Sequence, residues 1–147
     1  MSLFGKLFKT GAKAAEAVKK FENKDLVEAT VAAALLIAAA DGKIEDEEVL
    51  KLQEIIEAMP SMQNFQSEIG VLTDKYSKLL KAGFMLGKIQ LMREIRECKH
   101  SDNEAEDIIV VALTIASADG EMEPEEIAVL KDICKALGVA PSQFGIQ

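Results

Sequence analysis

The chain has 147 residues, 49% of them hydrophobic but only 5% aromatic, with no Trp and one Tyr. That is one domain's worth of sequence, apolar enough for a core of Ala, Leu, Ile, Val and Met, which excludes a wholly disordered chain. The formal charge of −8, from 17 basic and 25 acidic residues, would repel a phosphate backbone and argues for no nucleic acid as partner.

Charge is unevenly placed. Residues 1–24 hold six lysines against Glu16 and Glu22, a local +4 that leaves −12 for the rest. Residues 1–22 read as a basic amphipathic leader helix, with Leu3, Phe4, Leu7, Phe8, Ala14, Ala15, Val18 and Phe21 mostly at helical spacing. Lys6, Lys9 and Lys13 interrupt any secretory apolar stretch. Such a segment docks on an anionic bilayer, packs on the body or stays a mobile tail. No apolar run reaches the roughly 20 residues that cross a bilayer, so a cytoplasmic protein is expected.

The body, residues 23–147, opens with Asp25 and Glu28 at capping-box spacing. The apolar helix Ala29–Ala40 follows, hydrophobic nearly all round and therefore expected to be buried all round. Asp41-Gly42 breaks it. A second helix is expected from about Glu45 to Ala58, with Val49, Leu52, Ile55, Ile56 and Met59 inward and Pro60 as its stop. After a turn around Met62–Phe65, Leu72, Tyr76, Leu79 and Leu80 form one stripe. Phe84, Met85, Ile89, Met92, Ile95 and Cys98 form another, with a bend at Gly83. Ser101 and Glu104 suggest a second capping box before an apolar helix over residues 103–118, which Asp119-Gly120 stops. Pro124 suits the first turn of a last long helix, and Gly138 its C-cap.

Two stretches match at an offset of 78. Ala38-Ala39-Ala40-Asp41-Gly42-Lys43-Ile44-Glu45-Asp46-Glu47-Glu48-Val49 pairs with Ala116-Ser117-Ala118-Asp119-Gly120-Glu121-Met122-Glu123-Pro124-Glu125-Glu126-Ile127. The repeats run over 25–59 and 103–137. Neither apolar helix is satisfied alone, so the expected fold is all-α: a compact bundle of about seven helices built on two pseudo-twofold-related helix–loop–helix repeats.

Each repeat carries the frame Asp-Gly-x-apolar-x-x-Glu-Glu. This overlaps the second half of an EF-hand loop, with Asp41, Gly42, Ile44 and Glu48 at its positions 5, 6, 8 and 12 and Asp119, Gly120, Met122 and Glu126 likewise. Positions 1 and 3 are Ile37 and Ala39, and Ile115 and Ser117, so one loop lacks the roughly six to eight oxygens that calcium takes. Two facing loops pool Asp41, Glu45, Glu48, Asp119, Glu123 and Glu126. The competing explanation is helix-start chemistry, because acids at a helix N-terminus gain about 0.3–1 kcal/mol each from the dipole. Crowded like charges in both copies weigh against it.

These residues resemble the TerB family of tellurite-resistance proteins. The likeness includes the Met1-Ser2-Leu3-Phe4 start, Phe21-Glu22-Asn23-Lys24, both acidic loops, and the ending Leu137-Gly138-Val139-Ala140-Pro141-Ser142-Gln143-Phe144-Gly145. The resemblance implies an all-helical, cytoplasmic, non-enzymatic protein of a bacterial chemical-stress system; a peripheral place at the inner membrane is the expectation that the basic leader over residues 1–22 adds. The resemblance also implies a divalent cation, calcium among the candidates, held by acidic residues, and TerC-like integral membrane and TerD-like partners. Asp41, Glu47, Glu48, Asp119, Glu125 and Glu126 fall on the family's acidic motif, whereas Glu45 and Glu123 rest on the EF-hand comparison.

The remaining reactive side chains are read as structural. His100 is the one histidine; it follows a helix end, where positive charge is favoured, and has no partner for acid–base work. Met59, Met85 and Met92 sit at helical spacing and read as core filling. Cys98 and Cys134 have neither metal-type spacing nor a disulfide pattern and read as small buried hydrophobes. An acidic interaction module that recognises a basic surface, with no specific metal site, is the alternative function.

Overall fold

A computed structural model of the chain describes residues 21, 23–118 and 120–146. These residues are all-helical, with six α-helices and no strand. The order is α1 (Lys24–Ala38), α2 (Asp46–Glu57), a 3-10 helix (Pro60–Phe65), α3 (Gln66–Ala82), α4 (Phe84–Arg96), α5 (Asp102–Ala116), α6 (Pro124–Leu137) and a short 3-10 helix (Pro141–Phe144). The leader over residues 1–22, the expected seventh helix, lies outside the described residues apart from Phe21. That residue is buried, its N–H donating to the Ser61 carbonyl at 2.8 Å and its carbonyl accepting from Asn64 Nδ2 at 3.1 Å.

Helix α1 is the axis of the molecule. From Leu26 to Ile37 every side chain except Glu28 is buried, and α1 touches all five other helices. A helix apolar all round needs such a jacket. Its alanines at 29, 32, 33 and 34 bring neighbouring backbones close, and α5, apolar over most of Ile108–Ala116, packs directly on it. The start of α1 corrects the expected box at Asp25 and Glu28. Asn23 is the N-cap, and its Oδ1 accepts from the Asp25 N–H at 2.9 Å. Asn23 Nδ2 also donates to Glu104 Oε1 at 3.1 Å, joining the starts of α1 and α5. Ser101 caps α5 as expected, accepting from the Glu104 N–H at 3.3 Å.

The middle of the chain departs from expectation at two places. Pro60 does not stop α2, which ends at Glu57; it occupies the first turn of the 3-10 helix. Helices α3 and α4 are separate, divided at Gly83 in extended backbone. The inward stripe of α4 is Gly87, Leu91, Met92 and Ile95, whereas Met85 and Ile89 face solvent. The close approach of α3 and α4 decides this. A Cβ on Gly87 would lie 2.8 Å from the Leu79 carbonyl oxygen and 3.0 Å from Leu80 Cα. The helix turns its side-chain-free position to the neighbour, and Met85 rotates outward.

Candidate acidic cleft

The cleft is built where α1 and α5 end. Ala39 and Ala40 donate backbone hydrogen bonds to Leu35 and Ile37, and Gly42 donates to Ala39. Ser117, Ala118 and Gly120 do the same to Leu113, Ile115 and Ser117, 78 residues later. Gly42 and Gly120 hold φ of 85° and 113°, the left-handed side that needs glycine. Each following helix then has an acidic N-cap, Glu45 or Glu123. Val49 donates to the Glu45 carbonyl, and Ile127 to the Glu123 carbonyl, each at 3.0 Å.

Both turns open on one cleft of about 420 Å³. Of the expected site residues, Asp41 and Glu48 reach it from one turn, and Glu123, Glu125 and Glu126 from the other. Glu45 and Glu47 are exposed and do not line it. Glu45 is the N-cap of α2 and Glu47 lies in its first turn. Asp119 lies outside the described residues. Two of the carboxylates have local tasks as well. Asp41 Oδ1 accepts from the Lys43 N–H at 3.0 Å, closing an Asx turn. Glu126 Oε1 accepts from the Glu123 N–H at 2.8 Å, one arm of a capping box.

Sequence reasoning missed the rest of the lining. Lys51 stands among the acids, and Ile37, Leu52, Ile55 and Ile115 form an apolar floor. Glu48, Leu52 and Ile55 lie at i, i+4 and i+7 of one helix, so a helical-wheel reading of α2 could have found them. The donor chemistry suits a hard cation, because carboxylate oxygens prefer calcium or magnesium. Among the described residues, no three His, Cys, Asp or Glu side chains are grouped closely enough to hold an ion, so these carboxylates do not make a closed cage.

The perturbed groups lie elsewhere. Burial, then Glu106 and Glu104, pushes the Asp107 carboxyl up to about 6. Burial, then Glu97 and Glu28, raises Glu94. Both thiols are free and buried. Burial, followed by a hydrogen bond with Glu104, pushes Cys98 up to about 12, and burial alone pushes Cys134 up to about 11. Neither is a thiolate at neutral pH, which fits small buried hydrophobes rather than redox sensors.

The family model for tellurite resistance protein TerB matches residues 27–146. The chain belongs to the TerB family. That span takes in all of the cleft-lining residues, and membership of the family points to a role related to tellurite resistance. No curated protein and no solved structure gives a significant match. No helix among the described residues is long and apolar enough to cross a membrane.

Proposed function

We propose that this TerB-family chain is a non-enzymatic, divalent-cation-binding adaptor of a bacterial tellurite-resistance and chemical-stress system. It would work in the cytoplasm beside a TerC-like integral membrane protein and TerD-like proteins, with residues 1–22 as a peripheral membrane contact. The observation that carries the reading is the shared cleft, where carboxylates from two turns 78 residues apart line one space. The two helix–loop–helix units are read as pseudo-twofold repeats, and the cation as the element that fixes the angle between them. The described carboxylates do not form a closed cage, so holding an ion calls for the turns to draw together, with Asp119 as a further donor. Neutralising the like charges would offset the cost of that closure.

An acidic interaction module without a metal is the second reading. It is favoured by the apolar floor and by Lys51, which suit a peptide better than an ion. Titration of calcium, magnesium, manganese and zinc into metal-free protein, followed by backbone amide NMR, separates the two. The cation reading expects saturable shifts at Gly42 and Gly120 that vanish when Glu48→Ala is combined with Glu126→Ala. Weak, unsaturable shifts spread over every acidic residue would leave only the interaction module.

A further inference from the structure

Residues 75–99 hold seven basic side chains against Glu94 and Glu97, a local +5 in a chain of net −8. The fold collects much of that charge on one side of α4. Lys88, Met92, Arg96 and Lys99, spaced at i, i+4, i+8 and i+11, form one wall of a second cleft of about 330 Å³; Asp132, Lys135 and Ala136 form the other. Among the described residues, four cations thus meet a single carboxylate in this cleft, Asp132, whose Oδ2 is 3.7 Å from Lys88 Nζ.

The next row around α4 is apolar and points outward. Met85 and Leu86 are each 69% exposed and Ile89 is 44% exposed. Arg93 and Arg96, both exposed, continue the row. The first turn of α4 has no acidic residue, and its N-cap, Gly83, supplies no side chain. The N-terminal end of the helix dipole therefore adds positive potential beside the apolar side chains.

We propose that this side of α4 docks on an anionic lipid bilayer. Met85, Leu86 and Ile89 enter the acyl boundary, and Lys88, Arg96, Lys99 and Lys135 engage headgroup phosphates. A second copy of the chain is a poor occupant. A twofold contact would set these cations against themselves, and three side chains offer far less than the roughly 800 Å² per partner of a stable interface. Residues 1–24, at +4, are mismatched to the same face. Met85, Leu86 and Ile89 protrude instead of lining a groove, which suits entry into a bilayer more than capture of a peptide. The inference is independent of the cation reading, since none of these residues lines the acidic cleft.

The test is flotation of the full chain with phosphatidylcholine vesicles, with and without phosphatidylglycerol. Two exposed-site variants accompany it: Met85→Ser with Ile89→Ser, and Arg96→Glu with Lys99→Glu, each with circular dichroism and melting as controls. Wild type should float with the anionic vesicles and not with the neutral ones. The charge reversal should reduce partitioning by about tenfold or more, and the serine pair by about threefold or more. A spin label in the acyl region should broaden the Met85 and Ile89 methyl signals of the unmodified chain. Undiminished flotation of both variants would assign lipid binding to residues 1–22 and overturn the proposal. So would inorganic phosphate binding at Lys88 and Lys135 with no vesicle binding, or binding only to an acidic protein.

Discussion

At Asp107 the fold works against an ionised side chain. This carboxyl on α5 is half-buried beside two glutamates and is pushed from an ordinary 3.8 up to about 6. The native state therefore binds the proton more tightly than the unfolded chain. Stability falls as pH rises from about 4 to about 6, and the penalty is complete above that window. Asp107→Asn removes it. A shift of this size converts to about 3 kcal/mol, reduced to roughly 1 kcal/mol because solvent still screens the group. Urea denaturation should show the gain at pH 7 and little change at pH 3.5; an equal gain at both would mean that ionisation is not its source. Gly42 poses a different residue-level problem. A Cβ there meets nothing within 4 Å, yet φ is +85°. Gly42→Ala should therefore cost about 1 kcal/mol through conformation alone, and Gly42→Asn distinctly less, because Asn visits the left-handed region more readily. Denaturant midpoints of the two variants measure the difference.

Between elements, Gly87 sets how α3 and α4 meet. Its missing side chain lets the Leu79 carbonyl approach, and backbone cannot step aside as a side-chain tip can. Gly87→Ala should destabilise by about 1–3 kcal/mol. Gly83→Ala, at extended backbone with nothing within 4 Å, should be nearly neutral. Equal effects in thermal melts would show that the close contact with α3 does not limit position 87. The same glycine explains what could and could not be read from sequence. The cores of α1 and α5 were legible because the runs Ala29–Ala38 and Ile108–Ala116 are apolar at every position but Thr30 and Thr114, so no register had to be chosen. In α4 the apolar residues surround the helix, and spacing alone placed Met85 and Ile89 inside. Only knowing which turn touches α3 turns them out. The N-cap at Asn23 was hidden for a similar reason: Asn23 and Asp25 are both good caps, and the contact between Asn23 and Glu104 that favours Asn23 spans 81 residues. Of the residues lining the candidate cleft, the Asp-Gly turns and the acids at 41, 48, 123 and 126 were legible from the repeat and its EF-hand spacing, and Glu125 from the family resemblance alone. The apolar floor and Lys51 were not, because they come from helix faces already credited to the core.

Across the whole molecule, charge is sorted rather than mixed. Residues 1–24 carry +4 and residues 75–99 carry +5, so the remaining stretches hold −17. Self-repulsion of that acidic part weakens the compact state, and any salt relieves it by screening. A specific ion does more, because it adds binding free energy that only the native state collects. At tenfold excess over its dissociation constant that gain is about 1.4 kcal/mol, which for a chain of this size raises the melting temperature by about 3–6 °C. Sodium chloride and calcium chloride at matched ionic strength should therefore part company, with calcium giving the larger rise. Combining Glu48→Ala with Glu126→Ala should erase the calcium excess and keep the sodium effect. The double variant should also melt lower than wild type in metal-free buffer, since Glu126 loses its hydrogen bond to the Glu123 N–H. Each protein is thus compared with itself across the two salts. If the salts gave equal rises in wild type, screening would account for the whole response, and the acidic cleft would be left as a surface for a basic partner.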